Sequence, residues 1–480
     1  MPDYDLILRG GTVVTSTGLK EADVAVSGET IVALTPNISG TAREEIIATG
    51  QHIFPGVIDA HVHFNEPGRT DWEGIETGSR ALAAGGGTMF FDMPLNAHPP
   101  TLDAESFQSK RAAAEKNSLT DFALWGGLVP QNVDRLEELA ECGVIGFKAF
   151  MSNSGIEDFS RADDATLREG MKRAAALKLP VAVHAESETM TNALAQERVA
   201  ANKTSIRDYL DSRPIAAELE AIRRALDFAG ETGCALHVVH VSSSAGVQLI
   251  TEAKARGVNV SAETCPHYLT LTEDDLEKLG AVAKCAPPVR TARERDALWA
   301  RVLAGEVDTI GSDHSPSPPG MKTDANFFKI WGGISGVQHT LALLLSGAGV
   351  SPATSPLAVP AGGSSAGMAK GLRQPGRLLH CEATLSHISN LLSRNVAARF
   401  ALPPTKGRIE VGCDADLALV DLHGEFEVKL NDLFYRHRQT PYAGRTLRGR
   451  VVRTLLRGRT IFHDGKIVAT PAGRLLKSRR

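Results

Sequence analysis

The sequence predicts an α/β protein: an eight-stranded parallel β/α barrel of TIM type with a small composite β-sandwich formed by both chain ends. Three observations predict it. Eight short apolar runs recur through the middle of the chain, stretches of helical period separate them, and the two ends carry short alternating segments broken by Gly-rich turns. Strands that are nearly continuous in apolar character suit a parallel sheet covered on its outside by helices, and eight such strands close a barrel.

In chain order the strands are predicted at 57–59, 88–91, 122–125, 144–147, 181–183, 236–239, 258–261 and 307–310. Amphipathic helices are predicted between them, for example over 132–141, 164–178 and 215–229. At the ends, 6–8, 31–34, 417–420 and 451–454 read as strands, with turns at Arg9-Gly10-Gly11 and Asp464-Gly465. Neither end alone has enough strands to bury both faces of a sheet, so the two are expected to pool. The expected organisation is a first sandwich part over 1–51, the barrel over 52–400, a second sandwich part over 401–470 and a tail over 471–480. Residues 346–380 are dense in Gly, Pro, Ala and Ser, hold no sustained period, and read either as an irregular surface insertion or as an anomaly of the sequence.

Composition sets the outer bounds. A chain of 480 residues exceeds one small core. With 52 basic and 56 acidic side chains and a formal net charge of -4, it offers no nucleic-acid surface. Six scattered cysteines without a CxxC pair argue against a disulfide framework and against a thiolate zinc site, and point to a reducing cytoplasm. No run of about 18 uninterrupted apolar residues predicts a membrane span.

The chemistry lies at the strand ends, because the loops after barrel strands form the active-site face. His61 and His63 follow the first run, and their i, i+2 spacing turns both imidazoles to one side of an extended chain. His184 ends the fifth run and His240 follows the sixth. Asp313 follows the eighth, where a carboxylate can bind a metal and take a proton from water. Each alone has a plain alternative, a satisfied core histidine or a helix cap; histidines at equivalent places on successive strands are harder to explain that way. Lys148 ends the fourth run among apolar neighbours. As an ammonium it would repel cations, but burial favours the uncharged amine, and carbon dioxide added to that amine gives a carboxylate-like carbamate able to bridge two ions.

This set resembles the amidohydrolase superfamily and, within it, the cyclic amidohydrolases. The run from Asp59 through His61, His63, Asn65, Glu66 and Asp71 to Gly74, with Asp92-Met93-Pro94-Leu95-Asn96, is similar to the allantoinase branch. The similarity runs from residue 4 to about 345 and resumes near 384. It implies that His61, His63 and Asp313 hold one divalent ion, His184 and His240 a second, and Lys148 bridges them as N6-carboxylysine. The implied ions are zinc, with cobalt, manganese or iron as alternatives. The implied reaction is hydrolysis of the cyclic amide of (S)-allantoin to allantoate, a step of purine and ureide breakdown, with Asp313 as the proton carrier; the implied assembly is a homotetramer with a small-molecule substrate.

Two departures from sister patterns bear on the ring. Dihydroorotases carry an arginine for the substrate carboxylate where this chain has Asn65, and hydantoinases and dihydropyrimidinases carry a tyrosine where it has Asn153. The first favours an uncharged ring, and the second sets the chain apart from hydantoinases and dihydropyrimidinases. Asn65, Asn96, Cys285 and Ser315 are the expected substrate contacts. The alternatives are a hydantoinase or dihydropyrimidinase and, from another class, a non-catalytic scaffold built on the same fold.

Overall fold

A computed structural model describes residues 2–349 and 382–479. The irregular stretch lies outside the described residues except for 346–349, which finish the helix Thr340–Gly347 and its cap.

The middle of the chain forms the barrel. Its strands are Val57–Val62, Gly87–Asp92, Asp121–Leu124 continued by Gly126–Gly127, Phe147–Phe150, Val181–His184, Leu236–Val238, Val260–Thr264 and Thr309–Ile310. Neighbours pair in parallel around the ring. The eighth strand meets the first through a parallel bridge between Val62 and His314, where the His63 N–H donates to the His314 carbonyl at 2.8 Å.

Side-chain alternation then sorts residues between two cores. Phe147, Ala149, Val181, Val183, Leu236 and Val238 pack outward against helix residues such as Leu167, Met171, Ile222 and Ile250. Ile58, Ala60, Phe91, Ala123, Ala182 and Val239 fill the interior. Lys148 lies between outward-facing Phe147 and Ala149, and His184 is in phase with inward-facing Ala182, so both side chains are carried to the inside.

The helices expected at 164–178 and 215–229 appear as Asp164–Ala176 and Ile215–Thr232. The first is started by the Asp163 carboxylate accepting from the Thr166 N–H, and the second is stopped by left-handed Gly233. The expected 132–141 helix begins later, at Leu136, after a 3₁₀ turn over Pro130–Arg135. Asn132 is the cause: its side chain accepts from Val129 N and donates to the Leu102 and Gly127 carbonyls, which holds its own backbone out of the helix. The fourth strand also sits later than its apolar run, at Phe147–Phe150, because a polar residue facing the barrel interior breaks the apolar pattern without ending the strand.

Both ends build one connected sheet. Its order runs Lys466–Ile467, Arg459–His463, Thr446–Leu456, Leu417–Glu427, His52–Pro55, Tyr4–Val14, Leu19–Ser27 and Thr30–Thr35, with Ala42–Ile47 also paired to Tyr4–Val14. The link is His52–Pro55, parallel to the first strand of the chain and antiparallel to Leu417–Glu427. Leu6, Val24 and Ile31 share an apolar cluster with Leu417, Leu419, Val452 and Leu455, so the two ends have a common core. Asp464-Gly465 makes the expected hairpin turn. Arg9-Gly10-Gly11, expected as a turn, is instead a bulge inside Tyr4–Val14, where Gly10 takes φ 67° and gives its N–H to Asp23 at 2.8 Å.

A buried ion cluster joins sheet to barrel. Lys406 Nζ lies 2.7 Å from Asp121, at the start of the third barrel strand, 2.7 Å from Asp416 and 3.0 Å from Asp414, and Arg457 also pairs with Asp121. The last residues are docked: Phe122 N donates to Arg474 O at 3.0 Å and Leu476 N to Phe122 O at 2.8 Å.

Candidate metal centre

The strand ends converge on a cavity of about 370 Å³ lined by His61, His63, Asn96, Asn153, His184, Arg213, His240, Lys284, Cys285, Asp313, Ser315 and the 328–333 segment, among others. His61 Nε2 and His63 Nε2 lie 3.2 and 3.5 Å from the same Asp313 oxygen, and the three residues form a group able to hold a metal ion. Beside it, His184 Nδ1 faces His240 Nε2 at 3.1 Å. The His61 and His240 ring centroids are 5.5 Å apart, so the two groups share one basin. Lys148 lies beneath, fully buried, its Nζ without a hydrogen-bond partner.

The electrostatics fit cation binding. Burial, with the Lys148 charge nearby, holds His61 and His240 well below the usual histidine range, and burial also lowers His184. Neutral imidazoles are the ligand form. Burial pushes Lys148 down to about 8, toward the amine that reacts with carbon dioxide. An all-nitrogen-and-oxygen donor set, with an orphaned amine whose charge is felt by His61, His184 and His240, fits divalent ions of the zinc, cobalt, manganese and iron series.

Buried carboxylates orient these ligands. Glu263 Oε1 meets His61 Nδ1 at 2.8 Å while its other oxygen meets His237 at 3.3 Å. Glu186 Oε2 meets His184 Nε2 at 2.9 Å and also pairs with Arg213. Glu186 fixes which nitrogen of His184 carries the proton and leaves the other for a ligand; Glu263 makes the matching contact to His61, with its carboxyl raised by burial to about 8. Burial alone would raise Glu186, but the Arg213 charge and the His184 hydrogen bond outweigh it and bring the carboxyl down to about 2. Neither glutamate was singled out in the sequence, although Glu186 follows His184 by two residues and Glu263 stands near the end of a strand.

Backbone strain concentrates here. Asn65, Asn96, His240 and Asp313 all adopt positive φ, between 41° and 65°, a conformation that non-glycine residues hold only where the surroundings impose it.

The expected substrate contacts separate. Asn96 lines the cavity and donates to Ser315 Oγ at 3.3 Å. Cys285 lines it too, with a thiol pushed up to about 12 by burial and a carbonyl that accepts from Tyr209 OH at 2.8 Å. Asn65 is not among the lining residues; it is buried and its amide donates to Pro316 O at 3.3 Å. Asn153 does line the cavity, with its side-chain oxygen accepting from Gly155 N at 2.9 Å.

A model of the amidohydrolase family matches residues 52–461. The chain belongs to this family. Its relatives include proteins named allantoinase from Rubrobacter xylanophilus, 53% identical with 100% of this chain and 99% of the relative covered, and from Deinococcus radiodurans, 50% identical with 99% of each covered. Among solved structures, an L-hydantoinase (dihydropyrimidinase) from Arthrobacter aurescens superposes with a TM-score of 0.89 at 32% identity, covering 99% of this chain and all of that one. A dihydropyrimidinase from Brevibacillus agri superposes with a TM-score of 0.86 at 30% identity, covering 98% of both. As an amidohydrolase the chain is a divalent-metal enzyme acting on a small molecule, and no helix among the described residues is long and apolar enough to cross a membrane.

Proposed function

We propose that this cavity opens the hydantoin ring of (S)-allantoin to give allantoate, the reaction of an allantoinase. The observation that carries the reading is full-length identity of 50–53% to relatives of that name, joined to a cavity lined by five of the six expected ligands, with the sixth, Lys148, fully buried. A hydantoinase reading draws on the solved neighbours, yet identity to them is 28–32%, and Asn153 stands where a hydantoinase is expected to carry its ring-opening tyrosine.

His61, His63 and Asp313 would hold one ion, His184 Nδ1 and His240 Nε2 the other, with Lys148 between them as the carbamate. When bound, the ions supply Lewis acidity that polarises the amide carbonyl and makes water a competent nucleophile near neutral pH. The rest falls to the side chains. Asp313 takes the proton of the attacking water and returns it to the departing ring nitrogen, so C–N cleavage expels a neutral amide. Glu186 keeps His184 in the tautomer that this geometry needs, and Glu263 makes the matching contact to His61. Zinc is the favoured ion, and a homotetramer the favoured assembly.

The test is product identification. Chelated protein should be inactive on allantoin, and zinc with bicarbonate should restore formation of allantoate; a folded, zinc-loaded protein that forms none would end the proposal.

A further inference from the structure

One wall of the cavity is a segment without regular structure, 327–333, yet its backbone is closely held. Lys284 Nζ donates to the carbonyls of Phe327 at 2.6 Å, Ile330 at 2.5 Å and, more weakly, Phe328 at 3.4 Å. Lys322 Nζ donates to those of Trp331 at 2.8 Å and Gly333 at 2.9 Å. Gly333 N returns a bond to Lys284 O at 2.7 Å and Trp331 N one to Met321 O at 3.0 Å, closing the staple at both ends.

Lys284 is 4% exposed. No carboxylate of the described residues pairs with either lysine; the Tyr209 and Phe327 ring faces lie 4.6 and 5.1 Å from the Lys284 ammonium. A buried cation without a counter-ion is costly unless dipoles replace its water; here the carbonyls of the wall do so in part, while burial lowers Lys284 to about 7 and Lys322 to about 8.

This arrangement fixes what the wall can offer a substrate. With five of its carbonyls turned onto ammonium groups, the Ile330 and Gly332 N–H groups are left without an acceptor in the described chain, and a side-chain atom added at Gly332 would meet nothing within 4 Å. Gly332 therefore borders open space on the cavity side and carries an unpaired N–H, a donor suited to a carbonyl oxygen. Allantoin carries one carbonyl more than hydantoin, on its ureido arm.

We infer that Lys284 and Lys322 are specificity-determining positioning residues, which staple the 327–333 wall by its carbonyls so that its N–H groups read the ureido carbonyl of the substrate. The inference rests on the allantoin reading. Neither lysine reaches the metal ligands, so their loss acts on binding rather than on chemistry.

The test compares zinc-loaded wild type with Lys284→Met and Lys322→Met, the second at a half-buried position whose loss the fold tolerates more easily. Metal content should stay at the wild-type level, KM for allantoin should rise about tenfold or more with little change in kcat, and the preference for allantoin over hydantoin should fall by a similar factor. Chymotrypsin, which cuts after Phe327, Phe328 and Trp331, should cleave both variants faster than wild type within the wall. Unchanged KM in folded, metal-replete variants overturns the inference, as does an equal loss toward both substrates or loss of metal in step with activity. A wild type inactive on allantoin would sink the functional reading instead, and the staple would then stand or fall on the proteolysis alone.

Discussion

Replacing Lys148 by methionine should make the metal-free protein more stable while removing its activity. The side chain is fully buried and its Nζ has no hydrogen-bond partner. Burial lowers the amine from its ordinary 10.5 to about 8. A group whose folded pKa lies below its unfolded one destabilises the fold wherever it is protonated. The penalty is therefore complete below about pH 8 and disappears as pH rises to about 10.5. Over roughly 2.5 units it amounts to about 3 kcal/mol at pH 7, and methionine, similar in length and apolar, removes it at little packing cost. The assay is thermal unfolding of chelated wild type and Lys148→Met at pH 7 and pH 10, at one scan rate. The variant should melt higher at pH 7, and the gap should narrow at pH 10. Saturating zinc and bicarbonate should reverse the order, since only wild type keeps the bridging ligand. A metal-free variant that melts lower than wild type at pH 7 would refute the reasoning, because it would mean that the amine has a stabilising partner in the fold.

Other residues carry equally direct expectations. Asp313→Asn should bind zinc less well and lose nearly all turnover; substantial activity in the metal-loaded variant would remove Asp313 from proton transfer. Glu186→Gln should weaken the site at His184 and His240 by about ten- to a hundredfold, read as zinc loss during titration with a chelator, while Glu186 retained in an Arg213→Lys variant should restore most of it. Lys406→Met leaves buried Asp416 without its cation and Asp121 with Arg457 alone, and should cost about 3 kcal/mol or more, seen as a lower melting temperature with unchanged kcat per folded molecule.

The barrel was legible because period and position agree. Eight apolar runs marked its strands, and strand ends located His61, His63, His184, His240 and Asp313. The shifts have local causes. Asn132 delays a helix by spending its amide on three backbone groups, and the bulge at Gly10 keeps one strand where a glycine pair read as a turn. The orienting shell was harder to see. Glu186, Glu263 and Arg213 act through contacts between different strands and loops, and nothing in a linear pattern distinguishes a buried carboxylate from an exposed one. Asn65 shows the reverse: its motif position points to the substrate, while the fold gives its amide to Pro316 rather than to the cavity. Lys284 and Lys322 were invisible for a related reason, since their partners are carbonyls, which every residue has.

The most direct test of the account is the side-by-side kcat/KM of the zinc-reconstituted protein for allantoin, hydantoin, dihydrouracil and dihydroorotate. The account predicts that allantoin leads by orders of magnitude and that dihydroorotate, whose carboxylate finds no arginine at position 65, is turned over least. A lead for hydantoin or dihydrouracil would contradict the substrate assignment while keeping the metal chemistry, and silence on all four from a folded, metal-bound protein would contradict the assignment itself.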